Sequence, residues 1–144
     1  MLVKQILKTK GSNSVTTAAP ETKVTDIAII LTSQKIGIVV ISSDQETAQG
    51  IVSERDIVRA ISERGISSLG LVAADIMTRK LVTCSRDATA DQILSIMSER
   101  RFRHMPVLEN NKLVGLITQG DVVKAKLSEL SMEKVALENM IMGY

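Results

Sequence analysis

Aromatic side chains are almost missing from this chain: Phe102 and Tyr144 are the whole complement. A site that holds a flat ligand by stacking therefore has Phe102 as its one internal candidate, and must otherwise use apolar walls and backbone groups. Cysteine is nearly as scarce. Cys84 stands alone, which excludes an intramolecular disulfide and fits a cytoplasmic setting. With one histidine, His104, there are too few ligands for a dedicated zinc cage, so no metal is expected. No apolar run approaches the ~20 residues that cross a bilayer. The opening "MLVKQILKTKGSNS" lacks the apolar stretch and cleavage site of a signal peptide, so no membrane partner is expected. The net charge is only +2 with acids mixed among bases, which gives no broad basic footprint and argues against nucleic acid. No Gly-x-x-x-x-Gly-Lys-Ser/Thr loop is present. Any nucleophile triad would have to use His104, and nothing supports one; the chain is not expected to be an enzyme.

What the chain has is aliphatic residues and an internal repeat. Its 144 residues, 44% apolar and mostly Ile, Val, Leu, Ala and Met, suffice for one buried core. "GIVSERDIV" from Gly50 returns as "GLITQGDVV" from Gly115, with Asp56 and Asp121 lying 65 residues apart. Further back "LTSQKIGIVVI" from Leu31 matches "MSERRFRHMPV" from Met97, now offset by 66. "SVTT" from Ser14 resembles "LVTC" from Leu81, and "KQIL" from Lys4 resembles "ADIM" from Ala74.

Each unit reads as strand, helix, strand, strand, helix. Val24, Ile27, Ala28 and Leu31 have helical spacing, as do Ile93, Leu94, Ile96 and Met97; Thr25, Asp26 and Asp91 supply polar starts. "IGIVVIS" and "HMPVLE" are short strands, and "NNK" turns into the strand "LVGLIT". "ERDIVRAISERG" and "GDVVKAKLSELSMEKVALENMI" are closing helices, with Gly65 as the stop of the first. "ISSLGLVA" links the halves. The expected division is a first unit over 1–65, a linker over 66–73, a second unit over 74–127 and a C-terminal amphipathic helix over 128–144.

Apolar repetition needs no ligand, since two such units bury each other's sheets. Ser53 with Asp56, and Thr118 with Asp121, recur where a strand turns into a helix. Helix capping and ligand binding both account for them at this point.

The stretches "KIGIVVIS…GIVSERDIVRAI" and "MT…VTC…RFRHMPVLENNKLVGLITQGDVV" resemble a tandem pair of cystathionine-β-synthase-type (CBS) domains, a Bateman module, over roughly residues 2–127. The resemblance implies an α/β fold of two βαββα units packed through their sheets about a pseudo-twofold axis. It also implies two clefts for adenosine-containing ligands such as AMP, ADP, ATP or S-adenosylmethionine, and a regulatory rather than catalytic role. Carried over residue by residue, it makes Asp56 and Asp121 ribose ligands, because a carboxylate accepts from both hydroxyls of a cis-diol. Ser53 and Thr118 would sit near phosphate or ribose. Thr16 or Thr17, and Thr83, would meet the base, beside the strand edges at Ile38 and His104. Ile36, Val52 and Ile117 would form apolar walls.

Arg55, Arg103 and His104 are the implied phosphate partners; Arg55 reads equally as a solvated helix residue, and Arg100 and Arg101 read as surface charges at a helix end. Unit one has "KIGI" where unit two has "RFRH", and Arg55 where unit two has Gly120, so the clefts are expected to be inequivalent. Cys84 reads as an inert small hydrophobe. The resemblance and the apolar C-terminal helix together suggest a homodimer that acts on an unknown protein target. The alternative is an interaction or structural module with vestigial clefts.

Overall fold

The computed structural model describes residues 1–11 and 15–143; Ser14, where one repeat match begins, and Tyr144 lie outside them. Unit one runs β1 (Thr17–Ala18), α2 (Val24–Gln34), β2 (Ile38–Ile41), β3 (Gly50–Ser53) and α3 (Glu54–Arg64), after an opening helix α1 (Val3–Thr9). Unit two opens with α4 (Ala73–Ile76) and continues with α5 (Ala90–Arg100), β4 (His104–Glu109), β5 (Lys112–Thr118) and α6 (Gln119–Met142). The first sheet has the order β1-β2-β3, and the second pairs β4 with β5. The expected first strand of unit two shrinks to a single parallel bridge, Cys84 to Val107.

The repeat holds at the level of register. Ile38 faces Ser53 and Ile41 faces Gly50 in the first hairpin; His104 faces Thr118 and Val107 faces Gly115 in the second. Each hairpin turns one side into its unit's core, and in β2 the residues of the other side, Ile38 and Val40, are buried as well. Val39, Ile41 and Val52 pack with Ile27 and Leu31 of α2, while Met105, Val107 and Ile117 pack with Ile93 and Met97 of α5. A fully buried side chain of this size contributes about 1.5–3 kcal/mol, so the α2 and α5 stripes hold their helices in place. Val52 and Ile117 are thus core residues with no exposure, not cleft walls. Strand alternation hands the cleft to their neighbours Ile51 and Leu116 instead.

The two units exchange their opening helices. Val3, Ile6 and Leu7 of α1 are buried in the core of unit two, and Ala73 of α4 in the core of unit one. The anchors are equivalent: Val3 N–H donates to the Ala88 carbonyl (2.9 Å), and Ala73 N–H to that of Thr22 (2.8 Å). The exchange explains two glycines. A Cβ at Gly50 would lie 2.7 Å from Met77 Sδ, and one at Gly115 would lie 2.8 Å from Leu7 Cδ2. Each exchanged segment therefore lies directly on the strand that leads to Ser53 or Thr118.

Gly65 does end α3, at φ 61°. The linker is structured: residues Gly65–Gly70 form a 3-10 turn with Ser68 buried. Thr89, not Asp91, caps α5, while Asp91 pairs with Lys126 at 2.8 Å. Asp26 lies in the first turn of α2, but no side chain caps that helix. No break separates a C-terminal extension from unit two, because α6 runs 24 residues without interruption. Its residues from Leu130 to Met142 are all exposed. At 100° per residue Leu127, Leu130, Leu137 and Ile141 share one face, while Met132, Val135 and Met140 lie off it, so the apolar stripe is broad.

Candidate functional site

Two clefts of about 290 Å³ each open where the units meet. The Ser53 cleft is lined by Ile51, Ser53, Glu54, Arg55, Asp56, Arg59, Thr78, Arg101, Phe102 and Arg103. The Thr118 cleft is lined by Leu7, Lys10, Val15, Thr16, Lys35, Ile36, Leu116 and Thr118. Gly37, Ile38 and His104 border both. The centre is tight: a Cβ on Gly37 would lie 3.1 Å from the His104 ring. Equivalent backbone bonds position the two strand edges, Glu54 N–H to the Gly37 carbonyl (3.2 Å) and Gln119 N–H to that of Arg103 (2.8 Å).

Both Asp residues are built into capping boxes. Ser53 N–H donates to Asp56 Oδ2 (2.9 Å) and Asp56 N–H to Ser53 Oγ (3.2 Å). Thr118 N–H donates to Asp121 Oδ2 (2.9 Å) and Asp121 N–H to Thr118 Oγ1 (3.1 Å). A residue three places into a helix is well placed for this, and each box satisfies two otherwise orphan donors. Capping does not use up the carboxylates. Asp56 Oδ1 takes only long bonds, from Thr78 Oγ1 at 3.3 Å and Arg59 Nη1 at 3.4 Å, on the cleft side.

Asp121 is arranged differently. Lys10, just past α1, puts its ammonium 2.9 Å from Asp121 Oδ2 and donates to the Leu116 carbonyl at 2.9 Å. Lys10 lines both the Thr118 cleft and a separate hollow of about 300 Å³ between α1 and α6, whereas Asp121 lines only the hollow. Partial burial pushes the Asp121 carboxyl up, but the bonds from Lys10 and Thr118 outweigh it and hold the group below the usual carboxylate range.

Of the expected site residues, Ser53, Arg55, Asp56 and Arg103 converge on the Ser53 cleft, Thr16 and Thr118 on the other, with Ile38 and His104 shared. Thr17 lies in β1, paired with Val40, Thr83 is exposed, and Asp121 faces the α1–α6 hollow; none of the three lines either cleft. Sequence reasoning missed Arg59, Thr78, Lys10 and Lys35, and took Arg101 for a surface charge. Arg59 was detectable, three residues after Asp56 on the same helix. Lys10 and Thr78 were not, because only the exchanged segments bring them in. Among the described residues Arg55, Arg101 and Arg103 enter no ion pair.

Burial first, and then the Arg103 charge, lower the His104 ring below its ordinary value; Glu54 and Asp121 pull the other way, and Lys10 adds to the lowering. Burial pushes the Cys84 thiol up to about 11, so it is no nucleophile near neutrality. Among the described residues no cluster of His, Cys, Asp and Glu could hold a metal ion. Nor, among the described residues, is any helix long and apolar enough to cross a membrane.

These features coincide with known proteins. A CBS-domain containing protein from Agrobacterium tumefaciens is 40% identical with a TM-score of 0.83, covering 88% of this chain and 99% of its own. The CBS domain pair of protein MJ0100, solved with 5′-methylthioadenosine and S-adenosyl-L-methionine, is 25% identical with a TM-score of 0.77 over 90% of this chain and 98% of its own. CBSX2, solved with AMP, is 26% identical with a TM-score of 0.71 over 81% of this chain and 91% of its own. The sequence profile of the CBS domain matches twice, at residues 3–63 and 72–128, so the chain belongs to the CBS domain family, as a tandem pair.

Proposed function

We propose that this CBS pair is a regulatory sensor that binds an adenine nucleotide, AMP, ADP or ATP, in its clefts and signals by a change of conformation. The observation that carries the proposal is the Ser53 cleft. It combines a buried carboxylate whose cleft-side oxygen makes only long bonds with Glu54, apolar walls and three arginines that enter no ion pair among the described residues. A carboxylate suits a ribose diol. Arginine suits phosphate, because its fork of donors matches two oxygens at once. Adenosyl ligands in two related structures support the same class. S-adenosylmethionine offers the arginines one carboxylate on a sulfonium-bearing chain, whereas a nucleotide offers a more highly charged phosphate to all three, which is why a nucleotide is preferred.

The module is proposed to act as a cytoplasmic homodimer on a separate protein target. Exposed apolar side chains on α3 (Val58, Ile61) and α6 (Val123, Leu127, Leu130) supply a face for a second copy. Light scattering at micromolar protein should give twice the 15.6 kDa chain mass; a strict monomer with and without nucleotide removes the dimer. The alternative, an interaction module with vestigial clefts, has one observation in its favour: capping alone accounts for both aspartates. Mass spectrometry of small molecules released on denaturing the purified protein, followed by titration of the stripped protein with the same compound, separates the two. A nucleotide that is released and rebinds supports the sensor. Stripped protein that binds no adenosyl compound leaves the vestigial module, and turnover of the ligand would point to an enzyme.

A further inference from the structure

The Thr118 cleft presents an ammonium where the Ser53 cleft presents a carboxylate, and the exchanged helix is the reason. Lys10 follows α1, which is fixed in the core of unit two by Val3, Ile6 and Leu7. Its Nζ is held by Asp121 Oδ2 and the Leu116 carbonyl, both at 2.9 Å, and its side chain remains 31% exposed, bordering both the Thr118 cleft and the α1–α6 hollow. The equivalent segment after α4 brings no cation to Asp56; it brings the Thr78 hydroxyl. An ammonium has three donors, and here two have partners within the protein.

Resting on the nucleotide reading above, we infer that Lys10 is the phosphate-recognising residue of the Thr118 cleft and is parked on Asp121 while the cleft is empty. A phosphate entering beside Thr118 offers Lys10 a doubly charged acceptor in place of a singly charged one. Moving toward it takes Lys10 off Asp121 Oδ2, opens the wall that Lys10 forms between the cleft and the α1–α6 hollow, and leaves that carboxylate free for a ribose diol. Phosphate and ribose recognition are thereby linked in this cleft. A nucleoside without phosphate must either compete with Lys10 for Asp121 or leave its diol unread. The cleft should select AMP over adenosine, and Lys10 should account for that selection.

Methyl NMR separates the clefts, since Leu116 and Val15 line only this one and Ile51 only the other. Wild type, Lys10→Met and Lys10→Arg are titrated with AMP and with adenosine. AMP affinity at Leu116 should fall about tenfold in Lys10→Met, the scale of one charge-assisted hydrogen bond. Adenosine affinity there should hold or rise, Lys10→Arg should retain most of the preference, and the Ile51 curves should not move. Circular dichroism checks that each variant folds, and Lys10→Arg keeps the test informative if the methionine variant does not. An unchanged ratio of AMP to adenosine affinity in Lys10→Met overturns the inference, as does AMP that shifts Ile51 but never Leu116; in both cases the nucleotide reading stands. If neither compound moves either reporter, both fall.

Discussion

The two halves of this molecule share one backbone plan and differ in what they aim at their clefts. Ile38 faces Ser53 as His104 faces Thr118, and each helix start is closed by the same Asp box. Yet Asp56 lies in its cleft with its carboxylate 5% exposed, while Asp121 is 20% exposed and screened from its cleft by Lys10. The Ser53 cleft gathers arginines from both units; the Thr118 cleft has two lysines. Backbone symmetry is maintained by packing, which constrains every buried position. The clefts differ instead at the basic side chains around them, which packing leaves free to diverge.

The largest effect should come from breaking the helix exchange. Leu7→Ala should cost ~2–5 kcal/mol in denaturant unfolding, as for other buried leucines. Although Leu7 belongs to the N-terminal segment, loss of hydrogen-exchange protection should appear first in α5 and β5 of unit two. Loss confined to unit one would mean that α1 packs at home. Next, Asp56→Ala should weaken AMP at the Ser53 cleft by ~1.5–3 kcal/mol, the scale of a hydrogen bond to a charged group. Asp121→Ala should cost less than about 1 kcal/mol at its own cleft, because its partly exposed partner Lys10 is released to the phosphate as the diol contact is lost. Equal losses would erase the proposed difference. Each variant also loses a cap, so stability must be measured beside affinity.

A smaller effect sharpens the comparison at the glycines. In Gly50→Ala the new methyl meets Met77 and also the Thr78 carbonyl at 3.0 Å, which is backbone and cannot swing aside; about 1–3 kcal/mol of stability should be lost. Gly115→Ala meets only the side chain of Leu7 and should lose less. The reverse order, measured by denaturant midpoints, would show that the Leu7 side chain is the stiffer obstacle.

The smallest effect concerns His104, which borders both clefts. Burial lowers its pKa in the free protein, and a phosphate nearby would raise it. The sign follows: its contribution to binding is fully present below the free pKa and is lost as pH rises through the bound one. The difference in AMP affinity between wild type and His104→Asn should therefore shrink from pH 5.5 to 8. NMR of the single imidazole reads the shift directly, and a ring titration unchanged at saturating AMP removes the phosphate role.

The fold was legible because its signals are local and periodic. The α2 and α5 stripes, the "HMPVLE" strand and the Gly65 stop all follow from residue spacing, and the 65-residue repeat tied the halves together. What spacing does not encode is which partner a short helix chooses. "KQIL" and "ADIM" matched each other in sequence, but nothing in either says that each packs on the other unit. Lys10 and Thr78 were missed for that reason, and Val52 and Ile117 were set on the wrong side of their strands. Arg101 was hidden by its backbone: it ends α5 at φ 58°, and that left-handed turn carries the segment after it to the cleft rather than onward into solvent.

Calorimetric titration of the stripped protein with AMP tests most directly that both clefts bind nucleotide and that they are unequal. Two binding events per chain of different affinity are predicted, with the Ser53 event selectively weakened in Asp56→Ala. Absence of binding, or two equivalent sites indifferent to Asp56→Ala, would contradict it.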